Sequence, residues 1–534
     1  MTETPVLIVG GGPVGLTASF LLARQGVPSL LVERHPGTAI HPKARGINVR
    51  SMEIFRQQGV EAAVRKAGLP PERTGLIVWA RSLAGEEIER RTPWRGRAQA
   101  QEISPIGACL CAQDILEPVL RTYAEAQTGA TLRFDSELVG FEQEADGVRA
   151  TLRNRVGGGT EEVTARYMIA ADGAQSGVRR ALGVGMVGQK DVYDSVNVLI
   201  EADLRPWTQD RPAALYFIEN PELRGTFLTI NASDRWGFLV NSLKAQGFTA
   251  ADFTPALAER LVRLAAGVPD LPVKVLGIAP WVASAHVAER YAVGRVFLAG
   301  DAAHEMPPTG GFGMNTGLQD VQNLCWKLAL VLQGQAAAGL LDTYHDERQP
   351  VGRAITEQSL TNAASMGRMQ QTRQTAGARP EYLNEIGMIF GASYGSRAVV
   401  PDGTPPVAVA DPVTEYRPNA RPGARAPHAW LERKDGGRVS TIDLVGNGFV
   451  LLTGADGEPW CQAAAALDVP VRAIRVDGEA LADPEGRWHQ LYGLEPTGAV
   501  LVRPDGHVGW RSAGGAADPA GVLRAAVAQL LGRR

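Results

Sequence analysis

Residue types that could hold a cofactor are concentrated in three segments of the 534-residue chain, the first of which is a glycine-rich turn. Gly10, Gly12 and Gly15 form a G-x-G-x-x-G pattern, with Pro13 and Val14 before the last glycine. Glycines at this spacing permit a tight turn, close approach of a pyrophosphate and close helix packing, and the following helix start offers free N–H groups. The turn predicts a dinucleotide site that includes all five residues.

A carboxylate follows the next apolar run, "SLLV". Glu33 stands where the second strand of such a unit ends, and a carboxylate there can accept hydrogen bonds from an adenosine ribose. Arg34 comes directly after it. We include both residues in the predicted cofactor site.

The second segment is "ARYMIAADGAQSGVRRALG". Its apolar run predicts a strand that ends at Asp172 and Gly173, and Ser176 and Arg179 fall at the start of a predicted helix. Taken alone, the pattern is equally typical of a turn with helix-capping residues. Asp172 is therefore a cofactor candidate that depends on the rest of the chain.

The third segment is "LAGDAAHEMPPTGGFGMNTGLQD". A strand delivers Asp301, and the glycines that include Gly311 and Gly313 let the backbone approach a flat ring closely. Met314 and Asn315 then stand at a helix start, where free amides and the helix dipole favour negative charge. The segment predicts a surface of backbone amides that faces a ligand.

Two other residue types in this segment have alternative interpretations. Pro307 and Pro308 could form a rigid wall beside a ring, or simply a loop that ends a helix. His304 could be a base or a metal ligand, but the sequence shows no partner at ligand spacing. We interpret His304 as structural and predict no metal site.

The elements that position these segments are strands of two kinds. The N-terminal pattern of strand, glycine turn, helix and strand is a βαβ unit of a parallel sheet. Alternating apolar and polar residues after position 73, and again between 179 and 279, predict antiparallel strands. The segment "GRVFLAGD" again has the short continuous apolar run that is typical of a buried strand. The fold class is therefore α/β, with a Rossmann-like domain interrupted by an inserted antiparallel sheet.

Domain boundaries follow from these changes in pattern and from a proline-rich stretch after position 391. We predict a discontinuous cofactor-binding domain, a substrate-binding sheet domain in two pieces, a linker and a small C-terminal α/β domain. Their ranges are, in that order, 1–72 with 105–178 and 280–390; 73–104 with 179–279; 391–428; and 429–534.

Composition points to a small-molecule ligand. The chain has 54 Lys and Arg against 57 Asp and Glu, a formal net charge of −3, and no block of like charge. This pattern favours neither nucleic acid nor a membrane surface as partner. The four cysteines form no disulfide framework, and the glycine-interrupted N-terminus does not resemble a signal peptide. We expect a cytoplasmic protein, and the sequence leaves the oligomeric state open.

The three segments in this order, G-x-G-x-x-G, "ADG" and "GDAAH" with "PPTGG", resemble the group A flavoprotein monooxygenases of the para-hydroxybenzoate hydroxylase fold. The resemblance covers about residues 5–353. It implies FAD, with its adenosine near the first turn and Glu33, and Asp301 near the ribityl or pyrophosphate region. It also implies that Asp172 belongs to a segment that serves both FAD and NAD(P)H.

Two further matches rest on the same resemblance. "HPKARGINVRSMEIF" resembles the family's loop beside the flavin, which would place Arg45 near the ring and phosphates. "CAQDILEPVLR" resembles the helix whose glutamine contacts the FAD chain, which would be Gln113. Neither match is specific alone, and Arg45 could equally be a surface arginine.

The resemblance also implies an activity. NAD(P)H would reduce FAD, dioxygen would form a flavin C4a-hydroperoxide, and one oxygen atom would pass to an activated aromatic ring. The chain length and the small third domain most resemble actinobacterial aromatic polyketide hydroxylases, which implies a polycyclic aromatic substrate. Open alternatives are a Baeyer–Villiger or oxidative-rearrangement monooxygenase acting on a polyketide quinone or ketone, a flavin-dependent reductase or dehydrogenase, and a non-catalytic flavoprotein or binding module.

No catalytic side chain is identified by the sequence. Pocket candidates are Trp79, Tyr216 and Phe217, as an aromatic face, and Pro307. The third domain resembles the family's thioredoxin-like tail, in which disulfide chemistry would need two cysteines in C-x-x-C. Here Ala464 stands where the second cysteine would follow Cys461, so we predict a structural domain.

Overall fold

The computed structural model describes residues 2–92, 102–365 and 385–533. Its strands are β1 Thr2–Val9, β2 Ser29–Val32, β3 Gly46–Ile47, β4 Leu76–Ala80, β5 Glu87–Arg91, β6 Cys109–Leu110, β7 Ala130–Arg133, β8 Ser136–Gln143, β9 Val148–Asn154, β10 Thr160–Ala170, β11 Met186–Glu201, β12 Ala213–Glu219, β13 Arg224–Thr229, β14 Arg235–Asn241, β15 Lys274–Ala288, β16 Ala292–Val293, β17 Val296–Leu298, β18 His304–Glu305, β19 Trp430–Arg433, β20 Arg438–Ser440, β21 Phe449–Thr453, β22 Val471–Arg475, β23 Leu481–Ala482, β24 Ala499–Val502 and β25 Val508–Ser512.

The α-helices lie between these strands and cover their faces. They are α1 Pro13–Arg24, α2 Val49–Gln58, α3 Glu61–Ala67, α4 Gln113–Glu125, α5 Gly177–Ala181, α6 Arg205–Thr208, α7 Pro255–Ala266, α8 Gly313–Leu332, α9 Thr343–Ser365, α10 Ile386–Phe390, α11 Glu458–Ala465, α12 Arg487–Tyr492 and α13 Pro519–Leu530. Across the described ranges, no helix has the length and apolar character needed to cross a membrane.

The first sheet positions the three sequence segments at one edge. Its central strands run parallel in the order β17-β10-β1-β2-β7, and the last four residues of β1 and all of β2 are buried. Because carboxyl ends of parallel strands meet at one edge, the glycine turn, Glu33, Asp172 and Asp301 follow four neighbouring strands on the same side. Ligands of open α/β sheets bind at this edge.

The second sheet is a separate layer in the order β18-β15-β11-β14-β13-β12-β4-β5, and its neighbours are antiparallel except for β4 and β12. One face packs its buried residues, among them Val196, Val198 and Phe238, into an apolar core with helix α7. That helix has Thr254 as its N-cap and Gly267 as its C-cap, which define its ends. The other face is left for a ligand.

Two boundaries predicted from sequence need correction, because the one after position 178 falls inside helix α5 and the one after position 279 falls inside strand β15. This strand pairs with β11 along most of its length, with register shifts that let one strand continue past the predicted edge. Edge strand β18 also joins this sheet. The piece predicted for 73–104 extends into residues 93–101, which lie outside the described residues. The other domain boundaries stay a prediction.

The C-terminal domain is built on the sheet β22-β21-β24-β25, in which β21 and β22 are parallel and the other pairs are antiparallel. Cys461 on α11 is an unpaired, partly buried thiol, and Ala464 is buried. The segment predicted as a linker packs closely, since Tyr394, Tyr416 and Arg425 in it are buried. The described chain thus has the predicted α/β fold class, with a Rossmann-like domain, an inserted sheet and a thioredoxin-like tail.

Candidate cofactor and substrate site

A cavity of about 2240 Å³ lies between the carboxyl edge of the first sheet and the free face of the second. Single small-molecule sites are typically about 300–1,000 Å³, so this volume can hold a dinucleotide and a second ring system. The residues of the predicted cofactor site that line it are Gly10, Gly12, Pro13, Val14, Glu33, Arg34, Arg45, Gln113, Asp172, Asp301, Gly311, Gly313, Met314 and Asn315.

The glycine turn has three distinct local reasons for its glycines. Gly10 has φ +110°, and a Cβ there would lie 2.2 Å from the Ala171 carbonyl oxygen. Gly15 does not line the cavity, because it packs under the turn, where a Cβ would lie 2.0 Å from the Gly10 oxygen. At Gly12 a Cβ would meet nothing nearer than 4.0 Å, so this position opens towards the cavity. The first helical N–H groups have no side-chain cap, which leaves them available to a phosphate.

Replacing Gly12 by valine is expected to weaken FAD binding by about tenfold or more, because the added side chain would occupy the space beside the helix start. The backbone at Gly12 has φ −76°, which valine adopts without strain. Flavin fluorescence titration of the apoprotein measures the change. Gly159→Val, in an exposed turn with open space around it, is the matched control. An unchanged affinity of Gly12→Val for FAD would contradict the placement of the pyrophosphate beside Gly12.

Glu33 is held at the end of β2 by backbone groups. Its carboxylate accepts hydrogen bonds from the Gly11 N–H at 2.7 Å and from the His35 N–H at 2.9 Å. Each carboxylate oxygen has further lone pairs, so hydroxyl groups of a ribose can still donate to it. Arg34 lies beside it as an exposed side chain at the cavity edge.

Asp172 lines the cavity and also caps a helix. Its carboxylate accepts hydrogen bonds from the Ser176 hydroxyl at 2.6 Å and from the Val178 N–H at 3.1 Å, at the start of α5. The Gly173 that follows has φ +82° and open space around it. The capping interpretation and the cavity position are therefore compatible, and Asp172 fixes a turn that faces the cavity.

Asp301 differs from the other carboxylates because it makes no hydrogen bond to the described part of the chain. It is exposed and lines the cavity. Desolvation by the surrounding protein raises its pKa, with a smaller contribution from Glu305, while His304 and Lys43 oppose the rise. A carboxylate in this state is suited to accept hydrogen bonds from ligand hydroxyl groups.

The turn that carries Asp301 is held from beneath by Asp320 on α8. The Asp320 carboxylate accepts hydrogen bonds from the Gly300 N–H at 3.2 Å and from Arg348 Nε at 2.8 Å, and His304 Nε2 lies 2.8 Å from it. Asp320, Arg348 and His304 are fully buried, and none of them lines the cavity. His304 is thus a structural residue. Sequence reasoning missed Asp320 and Arg348, although a charged residue at a buried helix position is a recognisable signal.

The glycines of the third segment form a smooth wall. Gly310 and Gly311 have φ +111° and +68°, and a Cβ on Gly311 would have no neighbour within 4 Å. The Asn315 side chain accepts a hydrogen bond from the Asn48 N–H and donates one to the Gly46 carbonyl, both at 2.9 Å. It therefore ties the loop at 46–48 to the start of α8 and leaves that helix start facing the cavity.

These features fit FAD. The open position at Gly12 and the free helix start suit a pyrophosphate, Glu33 suits a ribose, Asp301 suits a hydroxylated chain, and Gly311 suits a flat ring. The residues that would hold the cofactor thus line a single cavity.

Arg45 and Gln113 make hydrogen bonds within the protein that the sequence did not predict. Arg45 Nη1 donates hydrogen bonds to the carbonyls of Ala214 at 3.2 Å and Thr229 at 2.7 Å, so it joins its loop to the second sheet. Burial lowers its pKa to about 10. Gln113 accepts a hydrogen bond from the Ala44 N–H and donates one to Glu117 at 2.7 Å. Glu117 is a further buried carboxylate of the cavity wall, and burial raises its pKa.

The free face of the second sheet supplies a mostly apolar wall. One cross-strand row holds Asn197, Leu239 and Thr226, and the adjoining row includes Leu228, Leu215 and Ile77. Apolar walls with few polar groups are typical of sites for ring systems. The polar exceptions in this wall are therefore the groups that could orient a substrate.

The four pocket candidates do not line this cavity. Trp79 and Phe217 continue the row of Thr226 and stack at 5.1 Å beyond the cavity. Tyr216 alternates with its neighbours and faces the opposite side, where its hydroxyl donates to the Arg211 carbonyl and burial raises its pKa to about 12. Pro307 is buried, and Pro308 lines the cavity instead. The prediction of these four as cavity residues was wrong for different reasons. Tyr216 lies on the other face of the sheet, Trp79 and Phe217 lie on the cavity face but beyond the cavity, and Pro307 is covered by the protein.

Comparison with known proteins gives two family matches and similar relatives along the whole chain. Residues 3–359 match the FAD binding domain family, and residues 419–534 match the aromatic-ring hydroxylase C-terminal family. A putative polyketide hydroxylase of Streptomyces halstedii is 42% identical, over 96% of this chain and 93% of the relative. A tetracenomycin B2 monooxygenase-dioxygenase of Streptomyces olivaceus is 41% identical over 99% of both. A solved aklavinone-11 hydroxylase in ternary complex with FAD and aklavinone superposes with a TM-score of 0.89, 38% identity and full coverage of both chains.

Proposed function

The chain belongs to the FAD-dependent aromatic-ring hydroxylases, and from that premise we propose that it oxygenates a polycyclic aromatic polyketide, with NAD(P)H as reductant. It is an FAD-dependent monooxygenase. The observation that supports the substrate class is the cavity itself, which runs without interruption from Gly12 to the apolar wall at Leu228. A volume of about 2240 Å³ leaves room for several fused rings after the cofactor is bound.

The names of the relatives support the same substrate class. The S. olivaceus relative is named for tetracenomycin B2, and the solved aklavinone-11 hydroxylase holds aklavinone beside FAD. We propose a substrate of comparable ring number for this chain. The free face of its second sheet, with leucines and isoleucine at Leu215, Leu228, Leu239 and Ile77, is suited to a flat apolar molecule.

Residues of the chain have distinct tasks in this function. Gly12 and the start of α1 would bind the pyrophosphate, Glu33 the adenosine ribose and Asp301 the ribityl chain. When bound, FAD takes a hydride from the nicotinamide and activates dioxygen so that one oxygen atom can be transferred. The protein positions the aromatic ring against the wall of the second sheet and excludes water from it.

The decisive experiment uses the purified, flavin-loaded protein. Polycyclic phenols are screened for accelerated NADPH oxidation in the presence of isotopically labelled dioxygen, and products are analysed by mass spectrometry. We expect one labelled oxygen atom on an aromatic carbon of the product. Label inserted beside a carbonyl would indicate a Baeyer–Villiger or rearranging enzyme. NADPH oxidation without label in any organic product would favour a reductase and contradict the proposal.

A cytoplasmic location belongs to the same proposal. All four cysteines are unpaired, which is typical of reducing compartments, and NAD(P)H is an intracellular reductant.

A further inference from the structure

Two buried polar atoms lack hydrogen-bond partners in the part of the cavity wall that is formed by the second sheet and the loop next to it. They are Nε2 of His41 and Oδ1 of Asn197, and both residues line the cavity. Asn197 is only 9% exposed. A buried polar group without a partner costs about 1–3 kcal/mol, so such groups are rare unless a ligand satisfies them.

The loop that carries His41 lies across the free face of the second sheet. The carbonyl of Pro42, the next residue, accepts a hydrogen bond from the Asn197 amide Nδ2 at 3.4 Å. Arg45 further along the loop binds the carbonyls at the end of the β12–β13 pair. Asn197 is thus hydrogen-bonded to the residue next to His41, and both side chains line the cavity.

Glycines in the sheet leave space beneath both unpartnered atoms. Gly277 and Gly237 flank Leu199 in one cross-strand row. A Cβ on Gly277 would come within 3.6 Å of the His41 ring, and one on Gly237 within 3.5 Å of Asn197 Oδ1. These are ordinary van der Waals distances, so the two glycines form the floor directly beneath the polar groups.

The charged groups around His41 favour its neutral form. Burial lowers its pKa, and the contributions of Asp114 on α4 and the Pro42 carbonyl, which raise it, are opposed by Lys43 in the same loop and Arg235 on β14. Asp114 is itself paired with Arg235 at 2.5 Å. A neutral imidazole has one ring nitrogen with a free lone pair, which is the state that accepts a proton.

Other titratable residues near this wall are less suited to accept a proton. Arg45 carries its proton already and has no acceptor. Glu305 already has a polar neighbour, since its carboxylate lies 3.0 Å from His286 Nε2. Tyr216 faces the opposite side of the sheet. His41 is the group that combines cavity position, neutral form and an unpartnered nitrogen.

We propose that His41 is the base that removes the proton from a phenolic hydroxyl of the substrate, and that Asn197 orients the same ring by accepting a hydrogen bond from a hydroxyl group. The inference rests on the proposed function. The O–H bond of the phenol breaks, its electron pair stays on oxygen, and the proton bonds to a ring nitrogen of His41. A neutral phenol and a neutral imidazole thus become a phenolate and an imidazolium. The phenolate is the form of the ring that attacks electrophilic oxygen most readily.

The test compares flavin-loaded wild type with His41→Gln, with 2-hydroxyanthraquinone as probe, because its visible absorption shifts when its hydroxyl ionises. We expect wild type to bind the probe as phenolate at a pH where the free probe is neutral, because the phenolate charge beside the ring favours protonated His41 and offsets the effect of burial. His41→Gln should still bind it, within about tenfold in affinity, but as the neutral phenol. His489→Gln, in the C-terminal domain, is the matched control and should behave as wild type.

A second measurement separates a base from a merely structural residue. Oxygenation by His41→Gln is expected to fall by about 10²–10⁴-fold near neutral pH and to recover as the pH rises, because the phenol then ionises without help. Asn197→Ala should weaken binding of a probe that carries a second hydroxyl, such as a dihydroxyanthraquinone, because that hydroxyl loses its acceptor, and should leave ionisation of the bound probe in place.

The outcomes distinguish the inference from the function on which it rests. Ionisation of the probe by His41→Gln to the wild-type extent, or a loss of oxygenation that higher pH does not restore, would overturn the role of His41 alone. If the flavin-loaded wild type binds no polycyclic phenol, the proposed substrate class fails, and the inference fails with it.

Discussion

Replacing Glu347 by alanine is expected to lower the free energy of unfolding by about 3–5 kcal/mol, because it leaves the buried Lys327 without its counter-charge and removes one of the two carboxylates paired with Arg503. The Glu347 carboxylate accepts hydrogen bonds from Arg503 at 2.7 and 2.8 Å and from Lys327 at 2.8 Å. All three side chains are fully buried. Urea unfolding followed by circular dichroism measures the difference.

The pH dependence of the free energy of unfolding provides a second measurement of the contribution of Glu347. Burial alone would raise the pKa of Glu347, but Arg503 and Lys327 hold it well below the usual range. The group therefore contributes stability that is present above the ordinary glutamate pKa and is lost as the pH falls towards the folded-state value. The alanine variant should lose this part of the acid sensitivity. Glu458→Ala, which removes an exposed partner of Arg475, is the control and should cost less than about 1 kcal/mol.

The ion pairs and hydrogen bonds of Glu347, Lys327, Arg503 and Asp505 form a network that connects the C-terminal domain to the cavity wall. Arg503 also pairs with Asp505, and Trp326 and Asn323 on α8 donate hydrogen bonds to the Asp505 carboxylate. Helix α8 begins at Gly313, in the wall that faces the cavity. A domain without C-x-x-C chemistry thus stabilises the helix whose start would face the flavin. A small effect of Glu347→Ala, below about 1 kcal/mol, would show that this network contributes little.

The sequence predicted the parts of the site that depend on local pattern. A glycine turn between a strand and a helix, and carboxylates at the ends of apolar runs, are placed by their own neighbours in the chain. The sequence therefore predicted that Glu33, Asp172 and Asp301 lie in one site, and all three line the cavity. Their common location follows from the parallel strand order, which the βαβ pattern already implies.

Features that depend on pairing between distant segments could not be predicted. Asp320 meets Arg348, and Glu347 meets Arg503, only after the helices and the C-terminal domain pack. The face of the sheet used by Tyr216 depends on register, in which a shift of one residue exchanges the two faces. The importance of His41 arises from burial and from unpartnered atoms, which a sequence does not record.

Replacing Asp301 by alanine is expected to raise the dissociation constant of FAD by about 10–100-fold, because hydrogen bonds to a charged group each contribute about 1.5–3 kcal/mol. The carboxylate faces the cavity and has no hydrogen bond with the described residues, so its removal breaks no internal contact. The side chain is exposed to solvent in the cavity of the apoprotein, so its removal also relieves no buried charge. The apoprotein should therefore be as stable as wild type.

Weaker FAD binding together with an apoprotein of unchanged stability distinguishes a residue that binds the cofactor from one that stabilises the fold. Flavin retained through gel filtration, a fluorescence titration for affinity and the thermal midpoint of the apoprotein are measured on the same preparations. Asp270→Ala, an exposed carboxylate outside the cavity, should change none of the three. An Asp301→Ala protein with wild-type flavin affinity would show that the ribityl chain lies elsewhere, whereas an unstable apoprotein would assign Asp301 to the fold. Weak flavin binding by a stable apoprotein is the result that only a direct ligand of the cofactor explains.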